Sequence, residues 1–270
     1  MLPLCDIVCE IIDARIPRSS RNPDLFELTM AKPRLVILNR SDLAGAAATK
    51  LWEAHFRSLG FSVMLTDSRS GAGVSAFPSA VRGALREKLE RYASQGQAGR
   101  GVKAMILGVP NVGKSSFINR AARRKTAAAQ DRPGVTRGRQ WISAGPGLDL
   151  LDTPGMLWPK IESEQSALNL AFTGAVRDEV MDSEALAARL CERLSELCPA
   201  ALRSRYKLAE GEESGPGYAV LSAAARRRGF LISGGEVDTE RMASVLLDEF
   251  RAGLLGRITL ELPEDAEPGV

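Results

Sequence analysis

Histidine is nearly missing from this chain: His55 stands alone among 270 residues, beside four cysteines and 5% aromatic residues. Cys5 and Cys9 sit at one end of the sequence and Cys191 and Cys198 near the other, so no zinc-ligand spacing forms. Unpatterned cysteines are most simply reduced thiols of a cytoplasmic protein. Cys191 and Cys198, seven apart, would share a helix face and pack in a core. His55 falls in a helical pattern and reads as a surface or packing residue, not a catalytic one. Long apolar runs are also absent: none approaches the ~20 residues that span a bilayer, so no membrane partner is expected. The start, Met1 to Asp13, is apolar but carries Asp6 and Glu10 and no basic leader, which reads as a strand, not a secretory signal. Charge of one sign is scarce as well. Thirty-six basic and 33 acidic residues leave +3, too little to assign a partner. The basic residues do cluster, at Arg120, Arg123, Arg124 and Lys125, at Arg132, Arg137 and Arg139, and at Arg226, Arg227 and Arg228. Each run fits a solvated face or a nucleic-acid contact equally well.

What remains is an ordinary globular composition, 44% apolar and 26% charged, long enough for one large or two modest domains. Up to residue 155, short aliphatic runs alternate with helical patterns. Strands are expected at Ile7–Asp13, Arg34–Asn39, Ser62–Thr66, Lys103–Leu107, Gln140–Ser143 and Leu148–Leu151. Helices are expected at Pro23–Ala31, Ala44–Leu59, Val74–Ala93 and Lys114–Ala122. This alternation predicts an α/β domain, a mostly parallel sheet with helices on both faces, and one antiparallel edge where Gly145-Pro146-Gly147 joins the last two strands. Ser94–Gly101 is a Gly/Gln-rich connector inside that domain. From Glu164 the periodicity becomes helical throughout, at Gln165–Val176, Ser183–Leu197, Gly217–Arg228 and Thr239–Leu254. The expected boundaries are 1–163 for the α/β domain, 164–262 for a small all-helical domain, and 263–270 for a tail.

Gly108-Val109-Pro110-Asn111-Val112-Gly113-Lys114-Ser115-Ser116 is a complete phosphate-binding loop, set between an apolar strand and a helix. Its glycines let successive N–H groups face phosphate oxygens, and the helix N-terminus favours the anion. Lys114 would reach the β and γ phosphates, and the Ser115 hydroxyl would ligate magnesium. The base is chosen elsewhere. Asn39-Arg40-Ser41-Asp42, at the end of the second strand, matches the guanine-reading N-K-x-D pattern with Arg for Lys. Asp42 would accept from the two N–H groups of guanine, a donor pair adenine lacks, which leaves an ATPase the weakest reading. Asn39 would contact the base edge and tie this loop to the phosphate loop, while Arg40 would lie along the purine ring. After the third strand, Asp67-Ser68 would present a backbone N–H, that of Ser68, to the guanine O6. Asp152-Thr153-Pro154-Gly155 closes the set: Asp152 would hold magnesium through water, and the Gly155 N–H would sense the γ phosphate. Thr136 would complete the magnesium shell as a switch threonine.

The order of these motifs is unusual, because the guanine motif precedes the phosphate loop. The same sheet forms if old termini are joined, here through Ser94–Gly101, and the chain is reopened elsewhere. With Asp13-Ala14-Arg15-Ile16-Pro17, Ser19-Ser20-Arg21-Asn22-Pro23, Asp131–Thr136, Asp152–Lys160 and Gly229–Gly235, the chain resembles the ribosome biogenesis GTPase A (YlqF) family of circularly permuted GTPases over nearly its full length. The resemblance implies a circularly permuted P-loop GTPase domain followed by a helical RNA-contacting domain. It also implies GTP hydrolysis to GDP with Mg2+, coupled to late assembly of the large ribosomal subunit and its rRNA, by a monomer. Asn111 resembles an asparagine that in related GTPases supports K+ near the phosphates. The family's Pro-Gly-His-Met stretch has no counterpart here, and Met156 stands where many GTPases place a water-orienting glutamine. Slow intrinsic hydrolysis is therefore expected. Two alternatives stay open: a GTP-dependent rRNA-binding factor with negligible hydrolysis, and an organellar permuted GTPase.

Overall fold

The computed structural model describes residues 2–97, 99–122, 140–153, 155, 161, 163–176 and 182–263. Thr136, Met156 and the basic residues Arg123, Arg124, Lys125, Arg132, Arg137 and Arg139 lie outside the described residues. The chain divides into two units, Met1–Lys160 with Glu261–Val270, and Ile161–Leu260.

The first unit is built on β1 (Ile7–Asp13), β2 (Arg34–Asn39), β3 (Ser62–Leu65), β4 (Val102–Leu107), β5 (Gln140–Ser143) and β6 (Leu148–Asp152). They form one sheet in the order β3-β2-β1-β4-β6-β5, parallel at every pairing except the antiparallel β5–β6 hairpin. β1 and β2 are buried at every position, which explains aliphatic runs where a half-exposed strand would alternate. Within β1 the run is broken by Glu10, whose carboxylate meets Arg21 at 3.3 Å and Arg34 at 3.8 Å. Between strands run α1 (Pro23–Thr29), α2 (Ala46–Ser58), α3 (Phe77–Ala84), α4 (Arg86–Ser94) and, after β4, α5 (Lys114–Ala121). Trp52 and Phe56 of α2 pack on Ile12, Val36 and Leu38 of the sheet. His55 stands beside these rings, 5.4 Å from Trp52 and 5.6 Å from Phe56 between centroids, the packing role expected of it.

One helix departs from expectation. Val74–Ala93 is not continuous: a single 3-10 turn at Val74–Ala76 leads into α3, and Leu85 separates α3 from α4. Pro78 has no N–H for the Val74 carbonyl, so a helix spanning both would lose that bond. Pro78 instead sits in the first turn of α3, where no donor is needed. At the far end Gly83 weakens the last turn, and the Leu85 N–H is shared between the Val81 and Arg82 carbonyls while its side chain is buried.

The second unit contains α6 (Glu164–Phe172), α7 (Ser183–Leu197), α8 (Pro199–Tyr206), α9 (Gly217–Arg227) and α10 (Thr239–Ala252). Side chains of Ser163, Asp182 and Asp238 accept from first-turn N–H groups and start α6, α7 and α10. α8 was not expected. Cys198, at φ −154° and ψ 57°, has left the helical region ahead of Pro199, which ends α7 and opens a new helix at its first position. Buried Glu249 of α10 joins three elements: it accepts from Arg205 at 2.9 and 2.6 Å, from the Tyr206 hydroxyl at 2.9 Å and from Arg228 at 2.9 Å. Arg227 pairs with Glu212 at 3.2 Å. Two members of the Arg226–Arg228 run are thus engaged by acidic residues of their own unit.

Candidate functional site

Strand order reverses between β1 and β4, with β2 and β3 to one side and β6 and β5 to the other. In open α/β sheets the crevice beyond the carboxyl ends of such strands is where ligands bind. Every described motif assigned to the nucleotide lies at a carboxyl end: Asn39–Asp42 after β2, Asp67–Ser68 after β3, Gly108–Ser115 after β4 and Asp152 with Gly155 after β6, with Asp13 at the same edge after β1.

The phosphate loop is shaped by two left-handed residues, Asn111 at φ 59° and Gly113 at φ 89°. A side chain at Gly113 would also collide with the Asn39 amide, so glycine is required there for conformation and space alike. Val112 is buried, Ser115 is exposed on the first turn of α5, and Ser116 is half-buried. Lys114 is buried, with Nζ 2.7 Å from Asp152 Oδ1. That pair joins the first turn of α5 to the end of β6. The Thr153 hydroxyl donates to the Ile106 carbonyl at 2.6 Å and pins the chain after β6 to β4. Gly155 is exposed and backs onto the phosphate loop: a Cβ there would sit 3.2 Å from the Pro110 Cα.

Asn39 is the hub of the other side. It is buried, its Nδ2 donates to the Val112 carbonyl at 2.7 Å, and its Oδ1 accepts from the Thr66 hydroxyl at 3.0 Å. The same oxygen accepts from Ser68, from N–H at 3.0 Å and hydroxyl at 2.7 Å. Asn39 thereby cross-links three loops, and the Ser68 N–H expected on guanine O6 is one that O6 has to share with Asn39. Asp67 faces its own loop and accepts from the Arg69 and Ser70 N–H groups at 2.8 and 3.1 Å. Burial works to raise its pKa, but hydrogen bonds from Ser70 and Arg69 hold the carboxyl below its ordinary range.

Ser41 gives both its N–H and its hydroxyl to the Thr66 carbonyl, each at 3.1 Å. Arg40 stands at φ 57°. Its guanidinium donates to the Asn111 carbonyl at 2.5 Å and comes within 3.8 Å of the Asp13 carboxylate. Asp42 is exposed, and among the described residues its carboxylate has no hydrogen bond or ion pair. It does not cap α2 either, whose N-cap is Gly45. This carboxylate is free to accept from a ligand.

Sequence reasoning did not place Asp13 and Arg15 in the site. Arg15 is buried and grips Asp13 through Nε at 3.0 Å and Nη2 at 2.7 Å. Burial pushes the Asp13 pKa up, but the charges of Arg15 and Arg40 and the Arg15 hydrogen bonds outweigh it and keep the carboxyl ionised. The signal was Asp-x-Arg at a strand end, read there only as a mark of resemblance.

Among the described residues no group of three histidines, cysteines or carboxylates could hold a metal. A Ser115 hydroxyl and an Asp152 carboxylate are hard oxygen donors, too few for a protein cage but suited to magnesium completed by phosphate and water. All four cysteines are free, and burial pushes the Cys191 thiol up to about 12 and the Cys9 thiol up as well, so neither is a thiolate nucleophile at neutral pH.

A family model described as 50S ribosome-binding GTPase matches residues 103–194. Ribosome biogenesis GTPase A of Priestia megaterium is 41% identical over 267 residues, covering 98% of this chain and 92% of the relative. The protein of the same name from Bacillus cereus is 39% identical over 264 residues, covering 98% of this chain and 88% of the relative. A GDP-bound structure of YlqF superposes with a TM-score of 0.70 at 28% identity, over 98% of this chain and 97% of that one. With its motifs gathered at one sheet edge in permuted order, and relatives this similar over almost their whole length, the chain belongs to the ribosome biogenesis GTPase A family of circularly permuted GTPases.

Proposed function

We propose that this GTPase is an assembly factor in late maturation of the large ribosomal subunit, using GTP as a timer for its stay on the particle. The observation that carries the guanine reading is the uncommitted Asp42 carboxylate, set beside an Asn39 that is bonded directly to the phosphate loop. Asp42 accepts from guanine N1 and the exocyclic amine, Asn39 and Ser68 line the base, and Asn111 to Ser116 wrap the phosphates. Lys114 exchanges its bond to Asp152 for the β and γ phosphates. Ser115, Thr136 and, through a water, Asp152 would hold Mg2+, which would neutralise charge on the transferred phosphoryl group. Gly155, packed against Pro110, gives its N–H to the γ phosphate and relaxes on its loss. The Asn111 side chain supplies an oxygen for K+ beside the phosphates. The description of the matching family model as ribosome-binding supports the large-subunit partner, with rRNA as its surface. The setting we assign is the cytoplasm, with a monomer at work; no helix among the described residues is long and apolar enough to cross a membrane.

His55 packs against Trp52, so no described histidine serves the reaction, and intrinsic turnover is slow. Steady-state phosphate release measured with and without large-subunit precursors, across potassium concentrations, tests the proposal. Many-fold stimulation by particles is the expected outcome, and equal rates at every potassium level would sink it. Tight GTP-dependent binding to particles with no phosphate release in a single turnover would favour an rRNA-binding factor without catalysis.

A further inference from the structure

The first unit is not contiguous in sequence: the chain leaves it at Lys160 and re-enters at Glu261. Glu261 is buried, and its carboxylate accepts from the Arg18 N–H at 2.8 Å, from the Ser19 N–H at 3.1 Å and from the Ser19 hydroxyl. Its carbonyl accepts from the Trp52 indole at 2.9 Å. A buried carboxylate fed by backbone N–H groups is a strong fixture, because those donors sit in a loop with no ladder of its own.

That loop, between β1 and α1, leads directly to the nucleotide site. The Ser20 hydroxyl, next to Ser19, accepts from the Asp13 N–H at 3.0 Å and donates to the Ile16 carbonyl at 2.7 Å. Asp13 is clasped by Arg15 and stands 3.8 Å from Arg40, whose guanidinium holds the Asn111 carbonyl of the phosphate loop. The Ala14 N–H also donates to the Asn39 carbonyl at 2.9 Å. Polar contacts, continued through the Ser19–Ser20 peptide bond, thus join Glu261 to both loops that would grip the nucleotide.

We propose that Glu261 is a positioning residue for the nucleotide site, acting through the 14–22 loop, Asp13 and Arg40 on the phosphate loop at Asn111. The inference rests on the reading of this site as a guanine-nucleotide site. It makes the segment after the helical unit an integral part of the GTPase unit.

The test is fluorescent-GDP titration of the full chain, with folding followed by tryptophan emission. Wild-type protein that fails to bind GDP would overturn the nucleotide reading; wild-type binding isolates the present inference. Glu261→Gln keeps the shape but sets an NH2 group against backbone donors, and should raise the GDP Kd about tenfold in a protein that remains folded. In an Arg40→Ala background the same change should add less than about twofold, because the route is already cut. A contact that merely stabilises the fold would lower the melting temperature and leave the two effects multiplying. Unchanged GDP affinity in Glu261→Gln, or full multiplication with Arg40→Ala, overturns the proposal. Should Glu261→Gln fail to fold, Ser19→Ala removes the Ser19 hydroxyl bond to Glu261 and keeps the N–H bond; a smaller rise in Kd supports the route and an unchanged Kd overturns it.

Discussion

Asp42 and Lys114 sit in the same site in opposite electrostatic situations. Lys114 is buried and already has a counter-ion, so a nucleotide bound as proposed must replace the Asp152 contact with something at least as favourable, which phosphate oxygens with magnesium would supply. Asp42 is exposed and has no such contact to exchange, so its full hydrogen-bonding capacity is available to a base. Asp42→Asn should therefore weaken GDP binding by about a hundredfold, since two charge-assisted bonds are lost or reversed. Xanthine carries a carbonyl where guanine carries the exocyclic amine, and an amide can donate to it while accepting from N1. The variant should bind XDP more tightly than GDP, as read by competition titration; retained GDP preference would show that Asp42 does not face the base. Arg40 teaches the limit of reading residues singly. Its place in an N-K-x-D pattern pointed to the purine, whereas the contacts its guanidinium makes are with a carbonyl at Asn111 and a carboxylate at Asp13. Neither partner is near Arg40 in sequence.

At the scale of elements, most of the α/β unit was legible because its strands are buried on both faces and write themselves as aliphatic runs. β1 through β6 begin and end within a residue of the expected positions. Motifs at strand ends were legible for the same reason: a parallel sheet brings all carboxyl ends to one edge. What escaped were features decided by a single residue or by distant partners. Pro78 and Gly83 divided an expected long helix, and Pro199 founded α8, whose buried Leu202 and Tyr206 at i and i+4 were the available signal. Glu249 belongs to the same class, because its partners come from α8 and the end of α9. Burial tends to raise its pKa, but hydrogen bonds from Arg205 and Tyr206 and the charge of Arg228 hold the carboxyl below its ordinary value of 4.5. A lowered carboxyl stabilises the folded state above the unfolded-state pKa and loses that contribution as pH falls through it toward the folded value. Glu249→Gln should then cost about 1–2 kcal/mol at pH 7, modest because both arginines are partly hydrated. The deficit should persist at pH 5 and shrink below about pH 4.5. Chemical denaturation followed by helical ellipticity at each pH checks this, and a deficit that does not change with pH would exclude the charge as its source.

The whole molecule offers a means of observing its units separately. All three tryptophans, Trp52, Trp141 and Trp158, fall before residue 161, and none lies in Ile161–Leu260. Tryptophan emission therefore reports the GTPase unit alone, while far-ultraviolet ellipticity is weighted toward the helices of both. A ligand that binds only the folded site stabilises the unit that holds it, by about 2.7 kcal/mol at a hundred times Kd. For a unit of this size that corresponds to roughly 5–10 °C in melting temperature. GDP should move the tryptophan transition by that amount. Trp52 sharpens the readout, because its indole is bonded to the Glu261 carbonyl and so reports the return segment as well as α2. If the helical unit melts independently, ellipticity resolves a second transition that GDP leaves in place and that Glu249→Gln lowers. If instead the two units unfold in concert, GDP carries both signals upward together. Either pattern is compatible with nucleotide bound at the β1–β4 switch point. A tryptophan transition that ignores saturating GDP is not, and would remove the nucleotide from the site assigned to it.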